Sequence, residues 1–321
     1  LKTIFNIYIE DPMKQTIINL LLTITLLALN ACSAPPAPAA SGQALAVESF
    51  LADIAQNIAG NRITVQTLIP LGLDPHAFEP TPQDVVKLTS TKILILNGAG
   101  FEEWLEPVLP ESPAGQLRIE AAAGLTPRQT DHKNEAQGQT DHPHELGDPH
   151  FWLDPISTIT YVENIRDGLI AADPAGKETY TQNAEAYIRQ LQELDAWIKT
   201  QVETIPPENR LLVTNHESLG YFADRYGFTI IGTVVPSVTS GSSPSAQELA
   251  ELINQIKTNN VQAVFLETGS NPQLAQQISS ETGVKVVSDI YTHSITDKNG
   301  PASTYILMMK TNVTAIVEAL R

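Results

Sequence analysis

Cysteine is almost absent. Cys32 is the only one in 321 residues, so no internal disulfide can form and no set of thiolates can hold a metal. Basic residues are also scarce, with 19 Lys and Arg against 36 Asp and Glu, a formal charge of −17. A field of that sign repels nucleic acid and anionic lipid and attracts cations, and it also serves solubility. The apolar stretch from Ile17 to Leu29 is shorter than the roughly 20 residues of a comfortable membrane span. No Gly-x-Ser-x-Gly elbow, P-loop or internal repeat occurs. His216-Glu217 does not open a His-Glu-x-x-His helix either, because Gly220 stands where the second histidine would be. The enzyme alternative that survives is a zinc hydrolase of another design, which would need an open coordination position and a general base.

Met13-Lys14, the run Ile17 to Leu29 and then Ala31-Cys32 together read as a secretory leader, residues 1–31, with Met13 as the expected true start. Its removal would take Lys2 and Lys14 with Glu10 and Asp11, so the charge balance is unchanged. Leu29-Asn30-Ala31-Cys32 resembles a lipobox, which makes Cys32 the expected lipidated N-terminus and the membrane contact. Asn30 departs from the small residue usual there. Residues 32–43 form a Pro/Ala-rich tether that would extend rather than bury a core.

With 42% apolar residues over this length, two lobes are expected. Short β-branched runs near 44–48, 63–70, 92–97, 210–214, 228–235, 261–266 and 284–290 alternate with helical patterns, the signature of an α/β fold with mostly parallel sheets. Thr81-Pro82, Asp154-Pro155, Ser243-Pro244 and Asn271-Pro272 predict helix starts, and Gly60 and Gly283 predict helix ends. Within 175–203, Ala184, Tyr187, Leu191, Leu194, Ile198 and Val202 recur at steps of three and four, predicting one long amphipathic helix stopped by Pro206-Pro207. The expected organisation is an N-terminal lobe over 44–172, a linker helix over 173–205 and a C-terminal lobe over 206–321. Each lobe carries a mostly parallel sheet flanked by helices.

Seven histidines are present. His132, His142 and His144 sit with Asp131, Glu135, Asp141, Glu145 and Asp148 in the polar stretch 127–149, either a metal-collecting loop or a solvated one. His76, His150, His216 and His293 each lie in a strand-to-helix connection or just before a helix cap. Ligands of open parallel sheets bind beyond the carboxyl ends of the strands, so these four converge on one edge of each lobe, two from each. Four neutral imidazoles suit a tetrahedral Zn2+, whereas Mn2+ prefers more oxygen ligands. Asp74, Glu267 and Asp289 are the nearby carboxylates, either ligands, acceptors for imidazole N–H groups, or ordinary turn and cap residues.

Several motifs in order resemble the zinc/manganese solute-binding lipoproteins of ABC importers, the cluster 9 metal-binding receptor and adhesin family. They are Leu73-Asp74-Pro75-His76 through Pro82, Asn97-Gly98 with Phe101-Glu102-Glu103-Trp104-Leu105, and Asp148-Pro149-His150-Phe151-Trp152-Leu153-Asp154-Pro155. Val213-Thr214-Asn215-His216, Val264-Phe265-Leu266-Glu267 and Gly300-Pro301-Ala302 follow. The resemblance implies two α/β lobes joined by one rigid helix, a metal ion buried between them, and delivery to a membrane permease with a cytoplasmic ATPase, with no enzymatic activity. His76 and His150 match the two N-lobe ligands. His216 matches a third position that is His in zinc-type members and Glu in many manganese-type members. His293 stands at the register of the fourth ligand, usually Asp, with Asp289 as its rival. The expected cargo is Zn2+, with Mn2+ as the alternative, and the expected state is a monomer that binds no nucleic acid and has room for an added adhesin role.

Overall fold

The computed structural model describes residues 42–129, 147–235, 243–270 and 272–321. The leader, Cys32, the tether up to residue 41, the loop residues 130–146 with their three histidines, and Asn271 lie outside the described residues.

Two parallel four-stranded sheets carry the architecture. The first consists of β1 (Gly42–Ala46), β2 (Ile63–Thr67), β3 (Ile93–Leu96) and β4 (Leu117–Glu120), ordered β2-β1-β3-β4. The second repeats that order with β5 (Leu211–Thr214), β6 (Thr229–Thr233), β7 (Ala263–Glu267) and β8 (Lys285–Ile290), as β6-β5-β7-β8. In each sheet the chain reverses its direction of travel between the first strand and the third, which opens a crevice at their carboxyl ends. Parallel strands need cover on both faces, and the sequence supplies it by alternation. Ala44, Ala46, Ile93 and Ile95 face one apolar cluster, while Leu45, Val47, Leu94 and Leu96 face another. In the second sheet Leu212, Ala263 and Phe265 face the same cluster as Ala44, and Val213, Val264 and Leu266 turn the opposite way.

The helices are α1 (Ser49–Ala59), α2 (Pro82–Ser90), α3 (Leu105–Val108), α4 (Ser157–Ala172), α5 (Lys177–Val202), α6 (Gly220–Tyr226), α7 (Ala246–Asn259), α8 (Pro272–Thr282) and α9 (Tyr305–Leu320). The 26 residues of α5 run unbroken, about 39 Å at 1.5 Å per residue. Every residue of the predicted stripe is buried, with Tyr180 one turn earlier. This stripe forms the spine of a single cluster that includes Phe50, Ile54 and Tyr161 from the side of the first sheet and Phe222, Tyr305 and Met309 from the side of the second. Burying each such side chain is worth about 1.5–3 kcal/mol, so the shared core ties the lobes strongly. Asp195 adds a polar tie, accepting from Arg225 Nε at 2.7 Å and Lys199 Nζ at 2.8 Å.

Thr81 and Asp84 form the expected reciprocal capping box on α2. Two other starts differ from the sequence reading. The helix read from Ser243-Pro244 begins at Ala246, because Ser245 finds Glu248 three residues on and closes a capping box that Ser243 lacks a partner for. The helix read from Asp154-Pro155 begins at Ser157. Asp154 spends its carboxylate on the Ile156 N–H and the Ser157 hydroxyl, both at 2.9 Å, closing a turn before the helix. β4 was not expected: its four residues at a sheet edge are too few to show an alternation.

Candidate metal centre

The triplet Asp-Pro-His occurs twice, at 74–76 and 148–150, and folds the same way each time. Asp74 Oδ1 accepts the His76 main-chain N–H at 3.0 Å, and Asp148 Oδ1 accepts that of His150 at 2.9 Å. Proline fixes the middle residue and the aspartate closes the turn, so each imidazole leaves the chain in a set direction. His216 lies two residues beyond β5 and His293 three residues beyond β8.

These four connections bring the four imidazoles together. His150 Nε2 stands 3.2 Å from His76 Nε2, 3.4 Å from His216 Nε2 and 3.3 Å from His293 Nε2. All four ligand atoms lie within 4.8 Å of one another. His150, His216 and His293 are buried and His76 is partly exposed; a cleft of about 830 Å³ lined in part by Asp74, Glu79, Asn215, Glu267 and His293 reaches the cluster at His293. Asp289 is excluded from this group. It is exposed on β8, one residue before the strand ends, and is not among the clustered ligand atoms.

Carboxylates set the orientation of the rings from behind. His150 Nδ1 lies 2.8 Å from Asp148 Oδ1, with both side chains fully buried. His216 Nδ1 lies 2.9 Å from Glu267 Oε1, and the other oxygen of Glu267 is 3.7 Å from His293 Nδ1. Ser218 donates to Glu267 at 2.8 Å and holds it in place. A proton placed on Nδ1 by such a carboxylate leaves the Nε2 lone pair free for a cation. Asp74, by contrast, acts as the cap of its turn. Glu267 is among the carboxylates that the sequence offers as imidazole acceptors, but that it faces two rings is not legible there, nor is the grip of Asp148, although the repeated Asp-Pro-His offers a signal for it.

Burial holds the His150 imidazole well below its ordinary pKa, helped by the three neighbouring rings. Burial also lowers His293, against the pull of Glu267. At His216 burial acts downward too, but the Glu267 carboxylate outweighs it and raises this ring above 6.5. Reciprocally, Glu267 stays below the usual carboxylate value because His216 overcomes its burial. Burial pushes Asp148 up to about 7.

An aromatic wall closes the site. The turn Gly98-Ala99-Gly100 has positive φ at all three residues, a path glycine takes without strain, and it delivers Phe101 onto the cluster. Its ring lies 4.8 Å from His76, 5.7 Å from His150 and 5.8 Å from His293. Trp152 packs 5.1 Å from His150 and stacks on Phe50 at 4.5 Å. Asn97 links the wall to the ligand turn by donating to the Pro149 carbonyl at 3.3 Å. Behind Phe101, Glu102 accepts from the N–H groups of Asn97 and Gly98 and abuts Glu48, whose position at the start of α1 makes no capping bond. Burial raises both carboxyls, Glu102 to about 7.

A two-lobed α/β receptor for a metal ion is the class that this fold and this cluster define. The family model described as "Zinc-uptake complex component A periplasmic" matches residues 45–319, and the chain belongs to that family, whose members are extracytoplasmic substrate-binding proteins of ABC importers and not enzymes. It is 35% identical over 273 residues to the manganese-binding lipoprotein MntA of Halalkalibacterium halodurans, covering 85% of this chain and 86% of the relative. It is 32% identical over 271 residues to the iron-binding protein YfeA of Yersinia pestis, covering 84% and 83%. Among solved structures, the Mn-bound periplasmic metal-binding protein from Candidatus Liberibacter asiaticus aligns with a TM-score of 0.75 at 28% identity, covering 88% of this chain and all of that one. No helix among the described residues is long and apolar enough to cross a membrane.

Proposed function

We propose that this receptor captures Zn2+ with the Nε2 atoms of His76, His150, His216 and His293 and hands it to an ABC permease driven by a cytoplasmic ATPase. The spacing around His150 carries the reading. A tetrahedral Zn2+ at about 2.0–2.1 Å from nitrogen sets its ligand atoms about 3.3 Å apart; the three separations from His150 are 3.2, 3.3 and 3.4 Å, and all four ligand atoms lie within 4.8 Å of one another. Four neutral ligands leave the charge of the ion unbalanced, and Asp148 and Glu267 behind them offset it. Ligation needs His216 neutral, with its one ring proton on Nδ1 toward Glu267 and the Nε2 lone pair free for the ion. Release to the permease requires His216 and His293 to part from His76 and His150. The lipobox-like run ending at Cys32, together with relatives described as lipoproteins, supports anchoring to the membrane through that residue.

Mn2+ is the second reading, favoured by the manganese-binding name of MntA. Metal-free protein offered both ions in a competition titration, with stoichiometry read by native mass spectrometry, separates them. One Zn2+ per chain held more tightly than Mn2+ is expected, and Mn2+ binding at least as tight would reverse the choice.

A further inference from the structure

We infer that Arg128, Tyr221 and Asp224 form a latch between the lobes that positions Asp148, and through it His150, and so sets the rate at which the ion leaves. The inference rests on His150 being an ion ligand.

The Asp148 carboxylate is only half used by the ligand turn. Oδ1 accepts the His150 main-chain N–H and lies 2.8 Å from the His150 ring Nδ1, whereas Oδ2 is buried with no hydrogen-bond partner. The cation facing that oxygen is Arg128, with Nη1 4.0 Å away. Arg128 is in turn held from the other lobe, its Nε 2.6 Å from Asp224 Oδ2 on α6. The main chains of the two residues are paired, the Asp148 N–H donating to the Arg128 carbonyl at 2.9 Å. Tyr221, also on α6, completes the ring: its hydroxyl accepts the Arg128 N–H at 2.8 Å and donates to the Asp148 carbonyl at 2.6 Å.

The first residue of α6 is shaped for this approach. A Cβ on Gly220 would come within 2.4 Å of Arg128 Nη1 and 2.8 Å of Asp148 Oδ2, so a side chain there would displace both groups. The same helix reaches beyond His150 as well, with Tyr221 packing 4.7 Å from Phe151 and Arg225 Nε 3.0 Å from Asp154 Oδ1. Both flanks of His150 are therefore gripped by the helix that starts four residues after His216. The ion pair at the edge of the latch is partly solvated, with side-chain exposures of 34% for Arg128 and 63% for Asp224. Such a pair opens readily, which suits a positioning device that must yield when the ion is released.

The test loads the receptor with Zn2+ and measures its transfer to an excess of fluorescent chelator, beside the thermal midpoint of the metal-free form. Replacing the partner of a ligating histidine costs about 10–100-fold in metal affinity. Arg128→Met, acting one step further out, should speed release about tenfold, and Arg128→Lys should recover part of the loss. Tyr221→Phe and Asp224→Asn should speed release several-fold, and they keep the test decisive if Arg128→Met folds poorly. Combining Arg128→Met with Asp224→Asn should release no faster than Arg128→Met alone, because both open one latch. Lowered metal-free midpoints with release rates unchanged would reduce these residues to ordinary structure and overturn the inference, as would additive rates in the double variant. Repeating the series with Mn2+ separates the latch from the choice of ion: equal acceleration for both supports it. A wild type that holds neither ion would sink the receptor reading and the latch together.

Discussion

Glu267 stands 2.9 Å from His216 with one oxygen and 3.7 Å from His293 with the other, so one buried carboxylate places its charge beside both histidines of the second lobe. Because it raises the His216 pKa above 6.5, protons should compete with the ion from above that value downward, and affinity should fall as the pH drops through it.

Glu267→Gln is therefore expected to weaken binding about 10–100-fold at pH 8, the usual effect of losing the acceptor behind a ligand. Without the opposing charge, burial lowers His216, and the pH at which affinity begins to fall should move to lower values. Competition titrations between pH 5.5 and 8 check both. An unchanged pH profile would mean that Glu267 does not set the protonation of His216.

The Glu48 and Glu102 pair makes a prediction on stability. Both carboxyls have pKa values above their ordinary 4.5, Glu102 at about 7. Their contribution is fully present below about 4.5 and is lost as the pH rises through the folded values. Metal-free Glu48→Gln, which cannot ionise there, should melt higher than wild type at pH 8 and match it more closely at pH 5. A gap of the same size at both values would show that the pair does not hold a proton at the lower pH.

Deleting residues 130–146 should leave the tight site intact and remove only weaker, additional binding. All four clustered imidazoles lie outside the segment, and the flanking residues Arg128 and Asp148 are already paired through their main chains, so a short linker can rejoin them. Loss of the tight site in a calorimetric titration would place a primary ligand within the deleted residues.

The unbroken α5 and the shared core argue against wide closure, which needs soft connections between lobes. Small-angle scattering of the metal-free and loaded forms should give nearly equal radii of gyration. A contraction as large as that of a hinge-closing sugar receptor would refute a rigid link.

How much of this was legible follows from the range of the forces involved. The α5 stripe and the Thr81–Asp84 cap are local patterns and could be read directly. The four histidines could be gathered because strand order fixes where the carboxyl ends of a parallel sheet meet. Only register favours His293 over Asp289 in the sequence, since both are chelating residues near one strand end and the choice depends on where β8 stops. Glu267 behind two rings, and Arg128 behind Asp148, arise only when residues far apart in sequence are packed together.

The apolar cluster around α5 has a consequence for the life of the molecule outside the cytoplasm. Because side chains from both lobes interlock along one helix, neither half can come away without exposing that shared core, although each keeps a smaller apolar cluster on the far face of its sheet. Opening one half would strip the other, so unfolding should be a single all-or-none event, and amide protons of β1 and β5 should exchange at similar rates. A receptor that must give up its cargo repeatedly at a membrane surface can then loosen its ligand turns without offering a partly unfolded intermediate to proteases.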